Sequence, residues 1–174
     1  MTHVNTLYEE YKSVLEFLNE QRQPSLYSNA DKTFKKFLIL ASASYFENLI
    51  TEIIVEFITC NSNNNEKVIS FVKNKAINRQ YHTYFQWDTP NANSFFGLFG
   101  SDFKTKIKNE LKSNEEINSA IKAFIEIGSL RNTLAHNNLA TYNLDNKTTD
   151  EIFQLYEEAL IFTTYVKNIL SNPV

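Results

Sequence analysis

The sequence predicts an all-α fold, an up-and-down bundle of about five to six helices carrying one long aromatic-rich loop. Apolar residues recur at three-to-four spacing over long stretches, which is the pattern of helices that bury one face. Only three glycines and three prolines occur in 174 residues, too little turn chemistry for a many-stranded sheet. With 43% apolar residues and 14% aromatics, the chain has enough material for one well-packed core and is short for two, so residues 1–174 are expected to form a single domain.

Residues 3 to 22 place Val4, Leu7, Tyr8, Tyr11, Val14, Leu15 and Leu18 on one face of a first helix that stops before Pro24. A longer second helix follows the cap candidates Ser28 and Asn29 and runs from about Ala30 to Thr59. Its stripe is Phe34, Phe37, Leu38, Ala41, Tyr45, Leu49, Ile53 and Phe57. The run from Asn61 to Asn65 closes it as a loop. A short helix is expected over 66–76. Residues 78–100, with Trp87, Pro90, Gly97 and Gly100 among aromatics, read as the long irregular segment, which is functional or packed by its own side chains. Helix resumes at Ser101-Asp102 and runs to Lys112. Another begins at Ser113 or Asn114, where Glu115 and Glu116 suit the positive end of the helix dipole. Ile117, Ile121, Phe124, Ile125 and Leu134 mark its buried face, and a last helix spans about Thr149 to Leu170.

Composition narrows the functional classes. The lone Cys60 has no partner for a disulfide or a zinc cluster, which suits a reducing cytoplasm. No basic stretch followed by an apolar one opens the chain, so secretion is not expected. The stretch Phe37 to Ile58 has the length of a membrane span, but Glu47, Asn48, Glu52 and Glu56 would be costly in hydrocarbon. It reads as a core helix, with no membrane partner. His3 and His82 pair with neither Cys60 nor another histidine at ligand spacing. No metal or other cofactor is therefore expected.

The segment richest in chemistry is Arg131-Asn132-Thr133-Leu134-Ala135-His136, where a permanent cation, a carboxamide and an imidazole share one stretch of helix. Cleavage of RNA without metal needs a group to take the 2′-hydroxyl proton and another to stabilise charge on the phosphoryl oxygens. Histidine exchanges protons near neutral pH, which suits His136 to the first task. The planar fork of arginine suits Arg131 to the second, and Asn132 orients the imidazole or donates to phosphate. At roughly 100° per residue, Asn132 and His136 lie nearly one above the other, whereas Arg131 and His136 stand roughly 140° apart. Convergence of those two on one substrate requires a bend, an unwound turn or a second subunit. Gly128 upstream and Asn137-Asn138 downstream weaken the helix around the motif. An arginine and a histidine near a helix end also serve simply as caps or as dipole partners.

The hexamer resembles the Arg-x4-His signature of the HEPN superfamily, all-helical domains many of which are metal-independent ribonucleases. The apolar-acidic helix Phe37 to Ile50 and the segment Asn93 to Gly100, with Phe103-Lys104 behind it, resemble the RiboL-PSP-type group, so the likeness covers most of residues 30 to 170. It implies a HEPN-like bundle and an endoribonuclease that leaves 2′,3′-cyclic phosphate and 5′-hydroxyl ends. It further implies a homodimer whose subunits share one composite site, and a role as a toxin or phage-defence effector held by an antitoxin or regulatory partner. In one toxin branch a tyrosine two residues past the histidine is adenylylated by the antitoxin. Asn138 stands at that position here.

Two further features bear on this reading. Glu47 is an acid inside a strongly apolar helix, a costly placement unless it is paired or exposed. In the resembling families a polar residue of this helix supports the motif, so Glu47 is expected to hold Arg131 or His136. The stretch 67–87 carries Lys67, Lys73, Lys75 and Arg79 without an acid, interleaved with Phe71, Tyr81, Tyr84, Phe85 and Trp87. Cations on phosphates and rings under bases suit single-stranded RNA, which makes Lys73, Lys75, Arg79 and Tyr81 candidate contacts. The alternative is a small aromatic core beneath surface lysines. The net charge of -3 confines any positive patch to a local one. The alternatives to catalysis are a HEPN-like module that binds RNA or nucleotide without cutting it, and a helical dimerisation or scaffold protein.

Overall fold

The computed structural model describes residues 1–144 and 146–171. Its order is α1 (His3–Glu20), α2 (Pro24–Asn61), α3 (Glu66–Val72), a π-helical turn over Lys73–Ile77, α4 (Tyr81–Tyr84), α5 (Asn93–Gly97), α6 (Ser101–Leu111), α7 (Glu115–His136) and α8 (Thr149–Ser171). Among the described residues there is no strand. Five of the helices are eleven residues or longer. The three short ones all lie in or beside the aromatic stretch.

Local chemistry sets the boundaries. Thr2 caps α1 in a reciprocal box with Asn5. Helix α2 starts at Pro24, not after Ser28-Asn29, because proline has no N–H to leave unpaired in the first turn and its fixed φ is already helical. The same residue that ends the first helical pattern opens the second. Asn63 and Asn64 take left-handed backbone (φ 50° and 58°), which asparagine tolerates, and Asn65 caps α3 by accepting from the amides of Lys67 and Val68. Asn114 caps α7, its Oδ1 accepting from the Ile117 amide at 3.1 Å.

Helices α7 and α8 pack most extensively, and α2 lies against α8, α1 and α7. The long apolar run of α2, sufficient in length and hydropathy to cross a membrane, supplies Phe34, Leu38, Ile39, Phe46, Ile50, Ile53 and Ile54 to the core. The predicted face of α7 is buried at all five positions named from the sequence. Two apolar positions depart from expectation. Val14 is 49% exposed and Phe37 is 54% exposed, since the core faces of α1 and α2 run through their neighbours.

The segment 78–100 is not irregular throughout, since it holds α4 and α5 and is the aromatic half of the core. Phe85 stacks on Phe95 with centroids 4.9 Å apart, and Phe124 of α7 lies 4.9 Å from Phe85, 5.4 Å from Phe46 of α2 and 4.9 Å from Phe162 of α8. Such contacts add to the burial of each ring by about 0.5–1.5 kcal/mol per pair. This stretch is therefore continuous with the bundle interior.

Candidate functional site

Helix α7 runs as one α-helix without an unwound turn through His136, and the chain leaves the helix only at Asn137, which is extended (φ -112°, ψ 164°). Arg131 and His136 therefore stay on different sides of one regular helix. Gly128 does not loosen it. A Cβ built on Gly128 would lie 2.0 Å from Cζ3 and 2.1 Å from Cε3 of Trp87, so the glycine is the notch into which the indole fits. The indole Nε1 donates to the His82 carbonyl at 3.1 Å, which ties α4 to the helix bearing the motif.

A tight cleft of about 10 Å³, room for about one water molecule, lies beside this contact. Ala43, Phe46 and Glu47 of α2 form one wall, and Phe124, Ile127, Gly128, Arg131 and Asn132 of α7 form another. Tyr81, His82 and Trp87 close the third side. Arg131 Nη1 donates to Asn132 Oδ1 at 3.1 Å. Among the described residues neither Arg131 nor Glu47 belongs to an ion pair within 4.0 Å, so the guanidinium keeps most of its donors for an anion. The Tyr81 phenol is pushed well above the usual tyrosine range, first by burial and then by the Glu47 carboxylate, with Arg131 opposing both. That phenol therefore sits in the field of both charges.

His136 is not among the lining residues. It is the exposed last residue of α7, and the capping role open to it falls to its neighbour, as Asn137 Nδ2 donates to the Thr133 carbonyl at 2.7 Å. The chain then folds into a turn, with Tyr142 N donating to Asn138 O at 2.9 Å. Lys36 Nζ of α2 donates to the Leu139 carbonyl at 2.7 Å and anchors that turn.

The structure thus brings together Arg131, Asn132, Glu47 and Tyr81, and leaves His136 outside. Glu47 faces the arginine end of the motif, not the histidine end. Lys73 and Lys75 are exposed on the π-helical turn, and Arg79 is exposed at φ 62° two residues before Tyr81. Tyr81 departs from these three cations by turning inward. His82, which the sequence sets aside as a residue of a loop with no fixed partner, stands in α4 and lines the cleft. Its only sequence cue is its place in the acid-free aromatic stretch. A larger groove of about 1090 Å³ between α2, α6 and the end of α8 contains Cys60, Asp102 and Lys106 but none of the motif. Among the described residues no three His, Cys, Asp or Glu side chains gather as metal ligands.

An all-α bundle whose penultimate long helix carries Arg-Asn-x-x-x-His beside a half-buried acid of the second helix defines a domain of HEPN type. The RiboL-PSP-HEPN family model matches residues 5–172, and the chain belongs to that family. No curated protein and no solved structure matches the chain. Membership points to a ribonuclease or nucleotide-related role.

Proposed function

We propose that this protein is a metal-independent endoribonuclease acting as a homodimer, and that it serves as a toxin or phage-defence effector under a regulatory partner. The observation that carries this reading is the split motif. Arg131 opens into the cleft with its donors largely unpaired, while His136 ends the same unbroken helix, its side chain without a hydrogen-bond partner among the described residues. Each half suits its chemical task, and a two-fold partner supplies the missing half to each cleft.

The surface near His136 fits such a partner. Leu139, 44% exposed, lies three residues beyond it, and Phe37, 54% exposed, follows the lysine that bonds the Leu139 carbonyl. Exposed apolar side chains beside the motif are what a second copy would cover. In this arrangement Arg131 holds the non-bridging phosphoryl oxygens and Asn132 steadies the guanidinium. Glu47 keeps Arg131 in the cleft through its field without neutralising it. Lys73, Lys75 and Arg79 lead the RNA backbone toward Tyr81.

The test is cleavage of labelled single-stranded RNA in EDTA by wild type and His136→Ala. The reading expects fragments ending in 2′,3′-cyclic phosphate from wild type only, with DNA uncut because it lacks the 2′-hydroxyl. RNA bound but left intact by wild type would favour the non-catalytic binding module, which the same phosphate-holding residues would also build.

A further inference from the structure

Attack of a 2′-hydroxyl in line with the departing 5′-oxygen needs two proton-transfer groups on opposite sides of phosphorus, a base for the entering oxygen and an acid for the leaving one. The motif supplies one imidazole. The second lies in the cleft itself, because His82 lines the same walls as Arg131 and Asn132. Its backbone is fixed by two contacts. The His82 carbonyl accepts from Trp87 Nε1 at 3.1 Å, and the Trp87 ring is seated on Gly128, one turn before Arg131 on α7. His82 is nonetheless exposed, and its side chain has no hydrogen-bond partner among the described residues. It is thus held in register with Arg131 while its imidazole stays available.

Resting on the ribonuclease reading above, we propose that His82 is the general acid that protonates the 5′-oxygen leaving group. As the 2′-oxygen bonds to phosphorus, its proton passes to the partner's His136. As the phosphorus–5′-oxygen bond breaks, the proton of the His82 imidazolium passes to that oxygen, and Arg131 holds the non-bridging oxygens throughout. Atoms and charge balance without metal or co-reactant. The titratable and charged groups that line the cleft with His82 are Glu47 from α2, Tyr81 beside it in α4, and Arg131 from α7.

The experiment compares wild type, His82→Gln and His136→Ala on an RNA oligonucleotide and on the same oligonucleotide with a 5′-bridging sulfur at the cleavage site, since a thiolate departs without a proton. Circular dichroism and Trp87 fluorescence check that each variant is folded. The expected result is that His82→Gln cuts ordinary RNA about 10²–10⁴-fold more slowly and the sulfur-bridged substrate at nearly the wild-type rate. His136→Ala should stay slow on both. Wild-type rates for His82→Gln on ordinary RNA, or equal losses on both substrates, would overturn the assignment. Cleavage of neither substrate by wild type would overturn the ribonuclease reading, and the role of His82 with it.

Discussion

Replacing Gly128 by alanine tests the joint between the aromatic segment and the motif helix. A glycine inside a helix ordinarily costs about 1 kcal/mol relative to alanine, so at an open position this change would stabilise the protein. Here the new methyl would stand 2.0 Å from the Trp87 ring, whereas carbon atoms pack at roughly 3.5–4.0 Å. The ring must therefore retreat by roughly 1.5–2 Å. That retreat disturbs its contacts with Phe85, Tyr81 and Phe124, whose centroids lie 5.1, 5.7 and 6.0 Å away. Overpacking costs about 1–3 kcal/mol, and complete loss of a buried aromatic about 3–5 kcal/mol. Set against the propensity gain, the net expectation is a loss of about 2 kcal/mol, or roughly 4–8 °C in Tm for a chain of this size. Trp87 is the only tryptophan, so urea unfolding followed by its fluorescence reads both the stability and the displaced ring. With Trp87→Leu already in place the penalty should shrink, because leucine can yield where the indole cannot. An increase in stability with unchanged native fluorescence would refute the reasoning.

Other expectations follow from the same geometry. Arg131→Lys keeps the charge but loses the planar fork, so RNA cleavage should fall at least about 10-fold while the fold, read by circular dichroism, is unchanged. The phenols of Tyr8, Tyr11, Tyr81, Tyr84, Tyr156 and Tyr165 are all held above the ordinary tyrosine range, burial being the largest cause in each, with Tyr156 pushed up to about 12. A raised folded value means that the folded state holds the proton longer. The stabilisation is complete below the unfolded value of about 10 and declines as pH rises from there through the folded values. Urea midpoints should accordingly fall between pH 9 and pH 11.5, and a flat profile would contradict the burial of these rings.

The long helices were legible because their stripes and caps are local properties. The Asn114 cap and the buried face of α7 follow from residues a few positions apart. What escaped was tertiary. Phe37 looks like a stripe residue, yet which side of α2 faces α7 and α8 is decided by packing, and nothing in its own neighbourhood turns it outward. Gly128 reads locally as a weak point of the helix, and only the position of Trp87, forty-one residues earlier, makes it a packing notch. The site was half legible. Residue types and spacing nominated Arg131, Asn132 and His136, and helical geometry already set the arginine and histidine apart. The company that Arg131 keeps depends on how residues 78–87 fold back over α7, so Tyr81 turned inward and His82 became part of the cleft without any periodic signal.

The most direct measurement is complementation between two inactive copies, Arg131→Ala and His136→Ala, mixed after dissociation and reassociation and assayed on RNA in EDTA. If each cleft takes Arg131 from one subunit and His136 from the other, the mixed dimer keeps one intact site of two. Random pairing should then restore roughly one quarter of wild-type activity. Full activity in wild type with no recovery in the mixture would show that both groups act from the same chain, and the split motif would not be the basis of the site.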